Sequence, residues 1–220
     1  MYGRIPPKEE AMRRIGLAGI LLILAVAQRA LATDTVIEAG SADLQAVIDA
    51  AGPGDRIILK QGIYVTQAAL SIQGKQGLSL VGLGEVSVVC QDVVDDVIRV
   101  LDSEDILFLG IRARHEPSGS EAACEGAVVS IDNSLRVAIQ GCSLHGCGAV
   151  GVYASRTHTL TITDSVLQYN SVVAVHLVEC DEVAIKQNTI TRNGAFLFAY
   201  GVRGMEVSGN AVAGNGAGLR

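Results

Sequence analysis

From Val137 onward the chain alternates apolar and polar residues in short runs that return at a fixed interval. Val137-Ala138-Ile139, Leu160-Thr161-Ile162, Val183-Ala184-Ile185 and Met205-Glu206-Val207 are offset by 23, 23 and 22 residues. Leu144, Leu167, Ile190 and Val212 follow the same offsets. So do Cys142, Ser165, Asn188 and Asn210, and Cys147, Asn170, Asn193 and Asn215. Each run has the length and alternation of a strand, and none carries a helical stripe. That excludes helical repeats, and the Leu-x-x-Leu-x-Leu pattern of leucine-rich arrays is absent. What remains is an all-β fold, a single-stranded right-handed parallel β-helix in which each repeat is one coil.

Such a coil stacks like on like, with strands ~4.8 Å apart. The pattern predicts one inward stack of Val129, Val152, Val175 and Phe198 and another of Ile139, Ile162, Ile185 and Val207. Asn170, Asn193 and Asn215 are expected to form an amide ladder at a turn. Gly148, Gly194 and Gly216 follow that ladder and are expected to relax its backbone angles. Leu78-Ser79-Leu80 and Ile106-Leu107-Phe108 read as the same strand in two earlier, less regular coils. The segment around Glu116-Pro117-Ser118-Gly119-Ser120 reads as a protruding loop. Upstream, Leu44, Val47, Ile48 and Ala51 share one face of a short helix with Ser41 as its N-cap. This helix is expected to cover the open N-terminal end of the stack.

Residues 1–32 read differently. Ile15 to Ala27 is a run of thirteen apolar or glycine residues, short of the ~20 needed to span a bilayer. Arg13 and Arg14 precede it and Ala30-Leu31-Ala32 follows, which is the order of a secretory signal peptide cleaved before Thr33. Met12 is an alternative start. The expected organisation is a signal peptide over 1–32 and a β-helix over 33–220, exported to the periplasm or the medium, with membrane contact only through the signal. The last coil breaks off at Arg220, at an inward position, without a capping segment. A longer chain or an end-to-end protein contact is the expectation there.

Charge narrows the partners. The chain carries 17 Lys/Arg and 23 Asp/Glu, a net −6. The first 32 residues hold five of the cations and two of the anions, leaving 12 against 21, or −9, for the rest. That balance argues against nucleic acid as a partner, and the expectation is none.

Leu44-Gln45-Ala46-Val47-Ile48-Asp49-Ala50-Ala51, Gly52-Pro53-Gly54-Asp55, Gly62-Ile63-Tyr64 and Leu80-Val81-Gly82-Leu83-Gly84, followed by Asn-rich coils, resemble right-handed parallel β-helix proteins of the pectate-lyase-like superfold. The resemblance covers nearly all of Thr33 to Arg220. It includes pectate lyases, polygalacturonases, alginate epimerases, phage tailspikes and periplasmic assembly factors. It implies a polysaccharide or glycan partner, with structural or assembly modules as the non-catalytic alternative.

The catalytic signatures of these groups are missing. There is no Trp, hence no Trp-x-Asp-His. Asn-Thr-Asp with a later Arg-Ile-Lys is absent, as is Asp-Pro-His-Asp. Asp95-Asp96 reads as a solvated turn. The resemblance places the substrate groove on the strand after the Asn turn. Alternation puts Ser130, Tyr153, His176 and Ala199 outward there, with Asp132 and Ser155 two residues on. Tyr153 and His176 are the candidate catalytic or sugar-contacting pair, and Ser130, Asp132 and Ser155 candidate substrate-binding residues, in a polysaccharide lyase, epimerase or hydrolase if the protein is an enzyme. The same reading finds no Lys or Arg in this column. No cofactor motif is evident, and Ca²⁺ lacks a carboxylate cluster to hold it. The five cysteines are Cys90, Cys124, Cys142, Cys147 and Cys180. In an oxidising compartment, Cys142–Cys147 and Cys124–Cys147 are the candidate bridges, and Cys142, His145 and Cys147 a weak candidate metal set.

Overall fold

The structure is a computed structural model. It describes residues 32–116, 124–146 and 148–216. All of these belong to one compact unit that begins at Ala32. The expected signal segment, the tip of the 116–120 loop, Cys147 and Arg220 lie outside the described residues.

The chain winds as a parallel solenoid with three strands to a regular coil. One such coil comprises β8 (Ala127–Asp132), β9 (Leu135–Gln140) and β10 (Ser143–His145). The next comprises β11 (Val150–Ser155), β12 (His158–Thr163) and β13 (Val166–Gln168), and the next β14 (Val173–Val178), β15 (Asp181–Lys186) and β16 (Thr189–Thr191). Strands of equal position pair in parallel to give three faces. Face 1 runs through β6 (Glu104–Leu109), β9, β12, β15 and β18 (Glu206–Ser208). Face 2 runs through β7 (Arg112–His115), β10, β13, β16 and β19 (Ala211–Ala213). Face 3 runs from β3 (Leu70–Gln73) through β5 (Ile98–Leu101), β8, β11 and β14 to β17 (Leu197–Tyr200). Two long strands, β2 (Arg56–Thr66) and β4 (Ser79–Cys90), bend across faces 1 and 2 in the early coils. The expected match of Leu80 with Phe108 and of Ser79 with Leu107 is found.

Inward positions are Val, Ile and Leu because a pleated strand in a stack favours β-branched side chains that pack on their copies one coil away. Val129, Val152 and Val175 are buried in register, as are Ile139, Ile162 and Ile185. Val207 continues the second column but is exposed, since it lies in the last described coil. The corners need sharp bends, and the backbone supplies them with left-handed residues in columns. Asn133, Arg156 and Glu179 have φ of 44°, 45° and 53°, and the next coil puts Gly201 at 66°. A left-handed L-residue costs ~1–2 kcal/mol, and ladders of side-chain bonds at the corners offset it.

Two such ladders lie next to face 2. Asn193 Oδ1 accepts from the Asn170 backbone N at 3.0 Å and from Asn170 Nδ2 at 2.9 Å. Asn215 Oδ1 does the same for Asn193, at 2.9 Å to each nitrogen. On the other side Ser165 N donates to Asn188 Oδ1, and Asn188 donates to Asn210 Oδ1. Gly194 is required by space, not by φ. A Cβ there would sit 2.4 Å from the carbonyl oxygens of Ser171 and Val172. Gly216, at φ 73°, fits the conformational expectation.

The N-terminal end is closed by α1 (Leu44–Ala50), which buries Leu44 and Ile48. Its N-cap is Asp43, not Ser41. The Asp43 carboxylate accepts from Gln45 N at 2.9 Å, while the Ser41 hydroxyl donates to Glu38 O in the preceding turn. Gln45 then seals the first strand of face 3. Its Oε1 accepts from Ser71 N at 2.8 Å and its Nε2 donates to Ser71 O at 3.0 Å, replacing a missing neighbour strand.

Candidate functional site

Face 3 carries the sequence candidates, and register fixes their order. Ser71 pairs with Arg99, Arg99 with Ser130, Ser130 with Tyr153, Tyr153 with His176, and His176 with Phe198. These six side chains form one outward column with one residue per coil. The Tyr153 and His176 rings meet edge to face, 5.4 Å between centroids and 83° between planes. His176 meets Phe198 in the same way at 5.9 Å and 89°. Both spacings are within the favourable range for aromatic pairs. Phe198 is 46% exposed, and Tyr200, two residues along the same strand, is 74% exposed. The result is an accessible ladder of three rings with a phenol at its edge.

Two sequence expectations fail in this column. Phe198 was expected inward and Ala199 outward. Instead Leu197 pairs with the inward Val175, and Ala199 with Leu177. The reason is the shorter last repeat. Five residues separate Asn170 from Val175 but only four separate Asn193 from Leu197, so the strand is displaced by one position and every side chain changes face. The second failure is the absence of a cation. Arg99 stands directly beside Ser130. Its coil is offset from the next by 31 residues, because the loop after Glu116 lengthens it, and the regular interval does not find it. Aligning Ile98-Arg99-Val100-Leu101 with Val129-Ser130-Ile131-Asp132 by alternation alone would have done so.

Arg99 is not free. It pairs with Asp95 at 2.5 Å and Asp96 at 3.0 Å. Asp95-Asp96 is therefore not a solvated turn. Asp95 also accepts from Ala69 N at 3.0 Å, and Asp96 accepts from Ala127 N at 2.9 Å. Burial raises the Asp95 carboxyl, but the Ala69 and Asp96 amides and Arg99 outweigh it and hold it below its ordinary value.

The second outward column places Asp132 beside Ser155, as expected. Ser155 is buried and donates its hydroxyl to Asp132 Oδ1. Arg156 Nη2 reaches both Asp132 oxygens at 2.6 Å. Asp132 and Ser155 thus form a closed ion-pair cluster beside the ladder, while Ser130 remains partly open within it. Among the described residues no carboxylate hydrogen-bonds to His176, and no group of three or more His, Cys, Asp or Glu could hold a metal. Cys124 is disulfide-bonded, whereas Cys90, Cys142 and Cys180 are buried thiols. The Cys142–Cys147 bridge is therefore excluded. Burial pushes the Cys142 thiol above its ordinary value.

A family model described as "Right handed beta helix region" matches residues 124–220. With the parallel three-faced stack, this decides the handedness. The described coils form a right-handed parallel β-helix. Solved structures share the fold at low identity. A candidate glycosyl hydrolase from Parabacteroides merdae is 14% identical, with 72% of this chain and 83% of that chain covered and a TM-score of 0.60. A pectin methylesterase mutant in complex with a hexasaccharide is 13% identical, with 78% and 67% covered and a TM-score of 0.50. Among curated proteins none matches the chain. In this β-helix the ring ladder of face 3 lies along the solenoid axis, with one ring per coil.

Proposed function

We propose that the protein is an exported carbohydrate-binding β-helix that holds a polysaccharide along face 3. The observation that carries this is the Tyr153–His176–Phe198 ladder. Aromatic faces stack on the apolar faces of sugar rings, while the Tyr153 hydroxyl, the His176 nitrogens and Ser130 supply hydrogen bonds to sugar hydroxyls. Strands rise along the axis by ~4.8 Å per coil, a step comparable to one sugar ring, so successive coils can address successive sugars. Two fold relatives support the reading, one a candidate glycosyl hydrolase and the other bound to a hexasaccharide. The Arg13-Arg14 and Ile15 to Ala27 segment supports export.

Binding is favoured over turnover by the state of the acids. Asp132, Asp95 and Asp96 are each tied to an arginine. Among the described residues His176 has ring partners on both sides and no carboxylate to orient it. A general acid–base pair needs a group placed and tuned to move a proton.

A glycan panel probed with the wild-type protein and with Tyr153→Ala and His176→Ala tests this, with new reducing ends and unsaturated products measured on each hit. Binding that both variants lose, without product, is the expected result. Wild-type binding by both folded variants would remove face 3 from consideration. Product formation lost with His176→Ala would make the protein an enzyme.

A further inference from the structure

Face 3 has a charge pattern that its aromatic ladder does not require. On its strands and at the turns that open and close them stand Asp95, Asp96, Asp102, Glu125, Asp132 and Glu179, against Lys75, Arg99 and Arg156, with Lys75 Nζ donating to the Asp49 and Ala51 carbonyls. Each arginine is already paired with carboxylates of this face. Arg99 is held by Asp95 and Asp96, and Arg156 by both oxygens of Asp132. A polyuronate or sulfated glycan laid along the ladder would meet surplus carboxylates and no arginine that lacks a carboxylate partner. At the spacing of neighbouring coils, like charges repel over distances shorter than the ~8 Å Debye length of physiological salt, so the repulsion is not screened away. We propose that the glycan held on face 3 is uncharged. This rests on the carbohydrate-binding reading given above. Selectivity then comes from repulsion of the wrong polymer as much as from attraction of the right one.

The arrangement makes Arg99 the switch between the two classes. Its guanidinium lies in the ladder column, next to Ser130 and one coil further from Tyr153. Only its bonds to Asp95 and Asp96 neutralise it. Asparagine at 95 and 96 keeps oxygens that can accept from Ala69 N and Ala127 N while removing both charges, so the fold is retained and Arg99 becomes a free cation facing the groove.

The test is a binding titration with matched polymers that differ in charge: methyl-esterified against saponified homogalacturonan, and neutral glucan against carboxymethyl-glucan. A neutral-glycan panel of xylan and mannan and a cationic chitosan complete it. Each is measured at about 20 mM and about 300 mM NaCl, below and above physiological ionic strength. Wild type is expected to bind only uncharged polymers, with less than about a twofold change in affinity between the two salts. The Asp95→Asn/Asp96→Asn double variant is expected to gain salt-sensitive binding to the saponified or carboxymethyl polymer, with circular dichroism and melting temperature confirming the fold. Wild-type preference for an acidic or cationic polymer, weakened by salt, would overturn the proposal and leave carbohydrate binding intact. Absence of binding to every polymer would remove the carbohydrate reading itself, and the proposal with it.

Discussion

The imidazole of His176 lies edge to face against the phenol ring of Tyr153, 5.4 Å between centroids, because the two residues are direct partners on adjacent parallel strands. Phe198 continues the contact one coil further. Since Phe198 faces solvent, Phe198→Ser is expected to change unfolding free energy by no more than about 0.5–1 kcal/mol. Val175→Asp, in the inward column of the neighbouring strand, is expected to cost several-fold more, because it buries an unpaired carboxylate. Thermal melts of the two variants check the register. Equal destabilisation would mean that the strand is placed one residue out.

The amide ladder predicts a larger effect at Asn193 than its polar side chain would suggest. Asn193→Leu strands the Asn170 N and Nδ2 donors and the Leu167 carbonyl, which Asn193 now satisfies. Each buried group left without a partner costs ~1–3 kcal/mol. Denaturant unfolding is expected to show a loss of at least ~2 kcal/mol, and Asn193→Asp a smaller one because it keeps the acceptor.

Closure of the first face 3 strand by Gln45 is a separate claim. Gln45→Ala removes both bonds to Ser71. The Ser71 amide is then expected to exchange with deuterium faster than in the wild type, and the protein to aggregate more readily through the opened edge. Unchanged Ser71 exchange would show that α1 covers the end by apolar packing alone.

His145 and Asp95 both shape the acid side of the stability curve, Asp95 together with the depressed carboxyls of Glu38, Asp55, Asp105 and Glu206. Burial, then the neighbouring Arg114, hold the His145 pKa below its ordinary value. Its neutral form is favoured in the folded state, so its contribution is complete above the unfolded value of ~6.5 and is lost as pH falls through the folded one. Asp95 is depressed too, by the Ala69 and Asp96 amides and Arg99 against an opposing burial. Its contribution is complete above ~3.9 and is lost at lower pH. Melting temperature is expected to begin falling below about pH 6.5 and to fall again below about pH 4. His145→Gln should flatten the first step only, and a single step would contradict the assignment.

Thiol chemistry offers a direct check. Cys90, Cys142 and Cys180 are at most 3% exposed. Maleimide is expected to label them only after unfolding, and non-reducing peptide mapping to place Cys124 in a disulfide. Rapid labelling of the folded protein at any of the three would contradict their burial.

The solenoid was legible because its coils are built by stacking, which writes the same residue type at the same interval. Ile139, Ile162 and Ile185, or Asn170, Asn193 and Asn215, report the coil directly. The Tyr153–His176 pair was legible for the same reason. Phe198 was not, because one residue lost from a corner inverts a strand without altering its composition. Arg99 was hidden by the long excursion after Glu116, and the pairing of Asp132 with Arg156 by a corner that brings residues from successive coils together. The helix cap was placed two residues early, since Ser41 and Asp43 are both competent and only the turn geometry selects between them.

The central claim is that sugar is held by the face 3 ladder and not by exposed aromatics in general. Tyr169 is the internal control. It is exposed on another part of the solenoid, with Arg192 stacked over its ring. Isothermal titration of a glycan-panel hit into the wild type, Tyr153→Ala and Tyr169→Ala compares the two sites. Loss of one stacking ring, worth ~0.5–1.5 kcal/mol, is expected to weaken binding by up to about tenfold in Tyr153→Ala, while Tyr169→Ala binds as the wild type does. Equal affinity in all three proteins, or loss in Tyr169→Ala alone, would contradict the account.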